Sequence, residues 1–527
     1  MARISQKRIG RRRGQTSSGG TPILLWTFIA MALFIACVFM FASSAIDAAA
    51  GNNDEVKLQI HPFISDHNDV ENTEQKQGEH TIHQNMPPTN QVHEIHDGKE
   101  MGKEEPLASD ILDASLEHRM NNDGEPYYHI VFSTDCSSFQ KWQSYLLFYS
   151  AMKAKQPGSV TRIASGCTDE EEQAEQKFQD MISQTMSPHF KVHFTPHFSK
   201  VKDDKGNETG KDYKFFNKPF GLLHWLEHSE ETLNNSDIVI LLDPDQILTR
   251  PITNDFSDLQ ANVLPDKEPK TKVQHGSPFA QKYGFGASWL KLDVETITQD
   301  PKTPARISNG EAGKHFPAGP PYLATVKDFH LIAKHWAEFV PRVHKEHPHL
   351  MAEMYAFCIA AAHVKLPFQM VASLMVSNTG MGPRDEGWGL LTNVPDEDIC
   401  SKDIMSKYPL PSVLHYCQRY IVGKHFYGKR RMPKDIFTCE SPLLMEPPND
   451  IHEKYDYFVP PHGTHGQDEN KSLSKEGARR NAFMVCALTR MTNEAALFYQ
   501  QHHCETKKDE NIALDMWSLN KIMTSSL

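Results

Sequence analysis

Two carboxylates one residue apart, Asp243 and Asp245, follow directly on the five-residue apolar run Ile238 to Leu242. Carboxylates so spaced can hold a hard divalent cation such as Mg2+ or Mn2+, and such an ion can neutralise a diphosphate. An Asp-x-Asp also caps turns, and Pro244 keeps this pair off a regular strand ladder. His415, within VLHYC, is a candidate third ligand because neutral imidazole suits Mn2+; a hydrogen-bonded core histidine is the alternative. Asn217 and Lys218 in the NKP segment, with Lys429, Arg430 and Arg431 in GKRR, offer donors for phosphate oxygens, although each such cation also reads as a solvated surface charge. Glu353 lies among apolar neighbours in LMAEMYAFCIAAA, where an unpaired carboxylate is costly and its pKa rises. It reads as a general base or as a structural acceptor, for a loop or for Arg342. Asp385 and Glu386, in GPRDEGWG, are alternative catalytic carboxylates.

The elements that must position these groups follow from periodicity. Ile238 to Leu242 reads as a strand buried on both faces of a parallel sheet, with the aspartates at its carboxyl end, where open α/β sheets bind ligands. YYHIVFSTD begins the folded unit at Tyr127 as a strand and strand-end loop, so Asp135 and Trp142 are candidates to border a bound nucleotide. A helix over 139–155, a strand at 160–166, an acidic helix at 169–186 and a strand in KVHFTPHF follow. KFFNKPFGLLHWLEHSEE supplies a loop and an amphipathic helix before the aspartates. Strands alternating with helices predict a mostly parallel, Rossmann-like α/β sheet flanked by helices. Later stretches predict a helix from about Val326, a helical LMAEMYAFCIAAAHVKL, a strand over Phe368 to Ser377, a short strand in SVLHYCQRY and a packed helix over 478–504.

Composition bounds the address. Residues 22–42 are almost wholly apolar and long enough for one transmembrane signal anchor. The preceding tail, 1–21, carries six Lys and Arg residues and no acid, which predicts a cytoplasmic N-terminus and a lumenal remainder. A formal net charge of −12 despite that tail argues against nucleic-acid binding. Residues 51–124 are polar and aperiodic and read as a flexible stalk. Of nine cysteines, the eight outside the anchor permit up to four disulfides, with Cys358 expected as a buried thiol. Sequons at Asn207, Asn234 and Asn470 fit a secretory address.

Several motifs in fixed order carry a resemblance: FSTDCSSFQKWQS, QPGSVTRIASGC, FFNKPFGLLHWLEHSEE, VILLDPDQILTRPI, GPPYLATVKD, LMAEMYAFCIAAA and LPSVLHYCQRY. The chain resembles, over about 129–448, the hydroxyproline O-arabinosyltransferase-like family, which includes peptidyl-serine α-galactosyltransferases. The resemblance implies a GT-A-like fold and a type II membrane enzyme of the Golgi or ER. Its glycosyltransferase domain would span 127–448, with an extension at 449–527. It further implies Mn2+ or Mg2+, a nucleotide-sugar donor, and a hydroxyproline or serine hydroxyl of a secretory peptide or protein as acceptor. Asp243-Pro244-Asp245 stands between the Glu-Pro-Asp of the arabinosyltransferases and the Asp-Ala-Asp of the galactosyltransferases. A catalytically silent, membrane-tethered binding module on the same fold is the alternative reading.

Overall fold

The structure, a computed structural model, describes residues 126–203, 205–305, 307–454, 473–505 and 513–516. The expected tail, anchor and stalk lie outside the described residues, as does the sequon at Asn470. Among the described residues no helix is long and apolar enough to cross a membrane.

In chain order the elements that matter are β1 (Tyr128–Thr134), α1 (Ser138–Lys153), β2 (Ser159–Ser165), α2 (Asp169–Thr185), β3 (Phe190–Thr195), α3 (Asn217–His228), β4 (Ile238–Leu242), β5 (Gln246–Leu248), β6 (Phe279–Lys282), β7 (Ala318–Thr325), α4 (Val326–Glu346), α5 (Ala352–His363), β8 (Gln369–Val371), β9 (Met375–Val376), β10 (Val413–His415) and α6 (Lys475–His503). Seven strands form one sheet in the order β8-β6-β7-β4-β1-β2-β3. β4, β1, β2 and β3 run parallel, while β7 is antiparallel to both of its neighbours. The aspartate-bearing strand is therefore central, as its unbroken apolar run predicts.

Alternation along the strands builds two cores. Ile130, Phe132, Ile238, Ile240 and Leu242 face one side, where α1 and α6 pack, and Val131, Val239 and Leu241 face the other, covered by α3, α4 and α5. The residues of β4 are 0–1% exposed, so both faces bury apolar area worth roughly 25 cal/mol per Å2. α2 starts at a capping box between Thr168 and Glu171, with four acidic residues in its first turn complementing the helix dipole.

The 368–377 segment corrects the sequence reading. It is two short strands in different sheets, β8 beside β6 and β9 beside β10. A second sheet of order β9-β10-β5 sits past the carboxyl end of β4. Three disulfides form, Cys136–Cys167, Cys400–Cys486 and Cys439–Cys504, while Cys358 is a buried thiol and Cys417 an exposed one.

One buried ion pair fixes the loop after β1. Arg162 is 1% exposed; it pairs with Glu175 of α2, donates to Thr134 Oγ1 at 2.8 Å and to the Asp135 carbonyl at 3.0 Å. Removing one partner strands the other charge in the interior. Glu175→Ala is expected to lower the unfolding free energy by about 3–5 kcal/mol in urea titration, and Arg162→Met with Glu175→Leu by less. An unaffected Glu175→Ala protein would refute this assignment.

Candidate active site

β4 ends at Leu242, and the chain turns at once from the large sheet into the small one. The Asp243 amide donates to Gln246 Oε1 at 3.0 Å and the Gln246 amide to the Asp243 carbonyl at 3.1 Å, which closes the turn around Pro244. Gln246 also donates through Nε2 to the Pro320 carbonyl at 3.1 Å and so ties the turn to β7. β5 then pairs antiparallel with β10 in a register that sets His415 opposite Gln246. The Tyr416 amide donates to the Asp245 carbonyl at 3.0 Å. Strand pairing alone therefore carries His415 across more than 160 residues of sequence to Asp245, with Nε2 3.2 Å from Oδ1.

Asp243, Asp245 and His415 each present a ligand atom within 4.8 Å of the other two. Two carboxylate oxygens and an imidazole nitrogen form a donor set of the kind Mn2+ takes, and Mg2+ takes the oxygens. The His415 ring faces Asp245 through Nε2, while its buried Nδ1 has no hydrogen-bond partner. These residues fit a divalent ion.

The aspartates are already paired with cations. Lys218 Nζ lies 2.7 Å from Asp243 Oδ1 and 3.2 Å from Glu353 Oε1, and Lys429 Nζ reaches Asp245 Oδ2. Burial opposes ionisation of Asp245, but the charges of Lys429 and His415 outweigh it and hold the carboxyl far below its usual range. Burial likewise opposes the Lys218 charge, and Asp243 and Glu353 reverse that, raising its pKa. Lys218 sits in the first turn of α3, where the helix dipole disfavours a cation, so the two carboxylates are what keep it there.

Glu353, in the first turn of α5, is 3% exposed. Its backbone is fixed by the Tyr213 hydroxyl, which accepts from its amide at 3.1 Å, and by Trp336 Nε1, which donates to its carbonyl at 2.8 Å. Burial raises the carboxyl to about 7, with Lys218 opposing and Asp243 adding to the rise. The partner suggested by sequence, Arg342, instead donates to the Ile297 carbonyl and pairs with Glu338, so Lys218 is the cation at Glu353.

The remaining candidates make contacts of their own. Asn217 turns its Oδ1 to the Phe198 amide at 3.3 Å. Asp135 accepts from Ser137 and lies 3.4 Å from Lys214. Asp385 pairs with Lys282. Arg430 is exposed in the turn Lys429–Arg431. Glu386 points inward: it accepts from the amides of Ser377 and Asn378 and from Trp388 Nε1, while burial lifts it to about 7 despite those bonds. Trp225, Trp289 and Trp388 are core residues at 0% exposure.

Sequence reasoning missed Gln246 and Tyr283. The only signal for Gln246 was its place just after the second aspartate. Burial raises the Tyr283 hydroxyl well above its ordinary pKa, and the charges of Asp243, Cys417, Glu386 and Asp245 add to the rise, which sets this phenol among the same groups.

Residues 128–265 match the family model described as the hydroxyproline O-arabinosyltransferase family N-terminal domain. This domain belongs to that family. The chain is 29% identical over 331 residues to a peptidyl serine alpha-galactosyltransferase of Arabidopsis thaliana, a match covering 61% of this chain and 34% of that protein. It is 31% identical over 124 residues to the peptidyl serine alpha-galactosyltransferase of Chlamydomonas reinhardtii, covering 23% and 14% respectively. The chain thus spans 34% of the Arabidopsis relative and 14% of the Chlamydomonas one. Similar solved structures include the galactosyltransferase LgtC with donor and acceptor sugar analogs, at 12% identity, TM-score 0.31 and coverage of 55% of this chain and 87% of that one. The bifunctional glycosyltransferase WbbM gives 10% identity, TM-score 0.30 and coverage of 56% and 47%.

Glu353 gives a pH signature in stability. With its folded pKa raised from 4.5 to about 7, the folded state binds the proton more tightly than the unfolded one, so stability falls as pH rises from about 4.5 to 7. Glu353→Gln removes this loss. Its thermal midpoint is expected to gain on the wild type between pH 5 and pH 8, by up to roughly 3 kcal/mol in stability. A difference independent of pH would place Glu353 in an ordinary carboxylate environment.

Proposed function

We propose that this chain is a metal-assisted glycosyltransferase of GT-A type, moving a sugar from a nucleoside-diphosphate donor to a serine or hydroxyproline hydroxyl of a secretory-pathway peptide. The observation that carries the reading is the strand-end cluster in which Asp243, Asp245 and His415 converge beside Lys218, Lys429 and Glu353. The family domain and the peptidyl serine alpha-galactosyltransferase relatives support the choice of reaction and acceptor. Three disulfides, with sequons at exposed Asn207 and Asn234, support an oxidising, lumenal address on a membrane anchored by residues 22–42.

Asp243, Asp245 and His415 would hold the ion. A bound Mn2+ or Mg2+ supplies positive charge against the leaving diphosphate, whose departure from an oxocarbenium-like sugar carbon is the difficult step. A divalent cation and a doubly charged diphosphate together bring no net charge, so Lys218 and Lys429 can exchange aspartate oxygens for phosphate oxygens without leaving a buried charge alone. Glu353, poised near neutrality beside Lys218, exchanges a proton with the acceptor hydroxyl. Asp385 and Glu386 lie on the acceptor side: Asp385 is free to give up Lys282, while Glu386 holds the Ser377 and Asn378 backbone.

The full chain, incubated with a panel of nucleotide sugars, Mn2+ and serine- or hydroxyproline-rich peptides, is expected to add one sugar mass to a peptide. Asp245→Ala is expected to lose at least about 100-fold in transfer together with metal-dependent donor affinity. Glu353→Gln should keep donor affinity and lose roughly 100-fold or more in turnover. Turnover at wild-type level in Glu353→Gln removes it from the proton transfer. Absence of any metal-dependent donor binding by the wild type would favour a silent binding module instead.

A further inference from the structure

Three histidines meet on the face of the sheet covered by α3, beyond the strand-end cluster. His193 lies within β3, the edge strand, and His224 and His228 stand four residues apart on α3, on one helix face. His193 Nε2 and His224 Nδ1 are 2.9 Å apart. The His193 and His224 ring centres are separated by 5.1 Å and those of His224 and His228 by 4.6 Å, with the Phe198 ring 6.4 Å from His224 as a partial wall. His193 and His224 are half-buried, and His228 is exposed with its ring against that of His224.

Two imidazole nitrogens facing each other can share a single proton, or both can donate a lone pair to one cation. Zinc binds imidazole nitrogen at about 2.0–2.1 Å, and tetrahedral angles then separate ligand nitrogens by about 3.3 Å. The observed pair is within a few tenths of an ångström of that spacing. His228 supplies a third nitrogen by side-chain rotation, leaving the fourth position to water. The nearest carboxylate on the helix, Glu227, is engaged by His330 at 3.1 Å. Lys218 is six residues before His224, about 9 Å along the helix axis, so this cluster is distinct from the strand-end aspartates.

We propose that His193, His224 and His228 form a second metal site, for a divalent transition ion of borderline softness such as Zn2+, which ties the edge strand β3 to α3. Imidazole binds metal only when neutral, and both partners of the close pair are held in that form. Burial and the neighbouring rings lower His193 to about 4, against a smaller opposing pull from Glu231, and burial and His228 lower His224. A cation here joins an element of the strand edge to the helix that carries Lys218 at its other end.

Zinc titration of the full chain tests the site by difference, since the sequence holds 28 histidines in all. The wild type is expected to bind one more equivalent of Zn2+ than His224→Ala/His228→Ala, and Asp245→Ala one more than the same double change made in its background. Each should rise a few degrees further in thermal midpoint with saturating ZnCl2 than its counterpart lacking the two histidines. Tetrahedral Co2+ absorption should follow the same pattern. Equal stoichiometry and equal thermal response in the double variant overturn the proposal. If the double variant fails to fold, His228→Gln, altered only at an exposed helix end, decides: its Zn2+ affinity should fall at least tenfold, and an unchanged Kd overturns the site.

Discussion

Two carboxylates leaving one buried strand side by side repel each other, and the rest of this centre exists to offset that repulsion. Lys218 meets Asp243, and Lys429 with His415 meets Asp245. Each partner comes from a different element, so the turn after β4 is stable only when α3, β10 and the turn beyond it are in place. The geometry follows from sheet pairing, because the chain passes from the large sheet to the small one within Asp243 to Gln246. Gln246 holds both ends of that passage, accepting from Asp243 and donating to β7.

The same cluster separates its carboxyl groups by environment. Asp245, between two cations, stays ionised, whereas Glu353, with one cation and full burial, titrates near 7. A pair of acids pushed apart in this way divides the labour of a site: one holds charge, the other trades a proton. Glu386 shows that burial alone does not mark a reacting group. Its carboxyl is raised to a similar degree, yet its oxygens are occupied by two amides and an indole.

Much of the scaffold was legible in the sequence because its signals are local. Ile238 to Leu242 reads as a doubly buried strand and is one, and the helical spacing after Ser137 and the acidic start after Thr168 fall within a residue or two of α1 and α2. The paired aspartates and His415 were visible as residue types. Lys218 and Lys429 were visible too, but as donors for phosphate; their pairing with the aspartates was not, because Lys429 is 184 positions from Asp245 and nothing in composition announces such a pairing. The antiparallel course of β7 and the split of 368–377 between two sheets also escaped, since apolar runs of a few residues carry no direction and no sheet identity.

The register of β5 against β10 has a consequence for how the two halves of the chain can change. Lys218, Asp243 and Asp245 fall within the family domain at 128–265, while Glu353, His415 and Lys429 come from residues after it. The charge cluster is therefore a joint, with half its members on either side of a boundary drawn by similarity. A substitution at Asp245 leaves Lys429 without its carboxylate across that boundary, and a graft of the first half onto a foreign second half keeps the Lys218–Asp243 pair but strips Asp245 of both its cations.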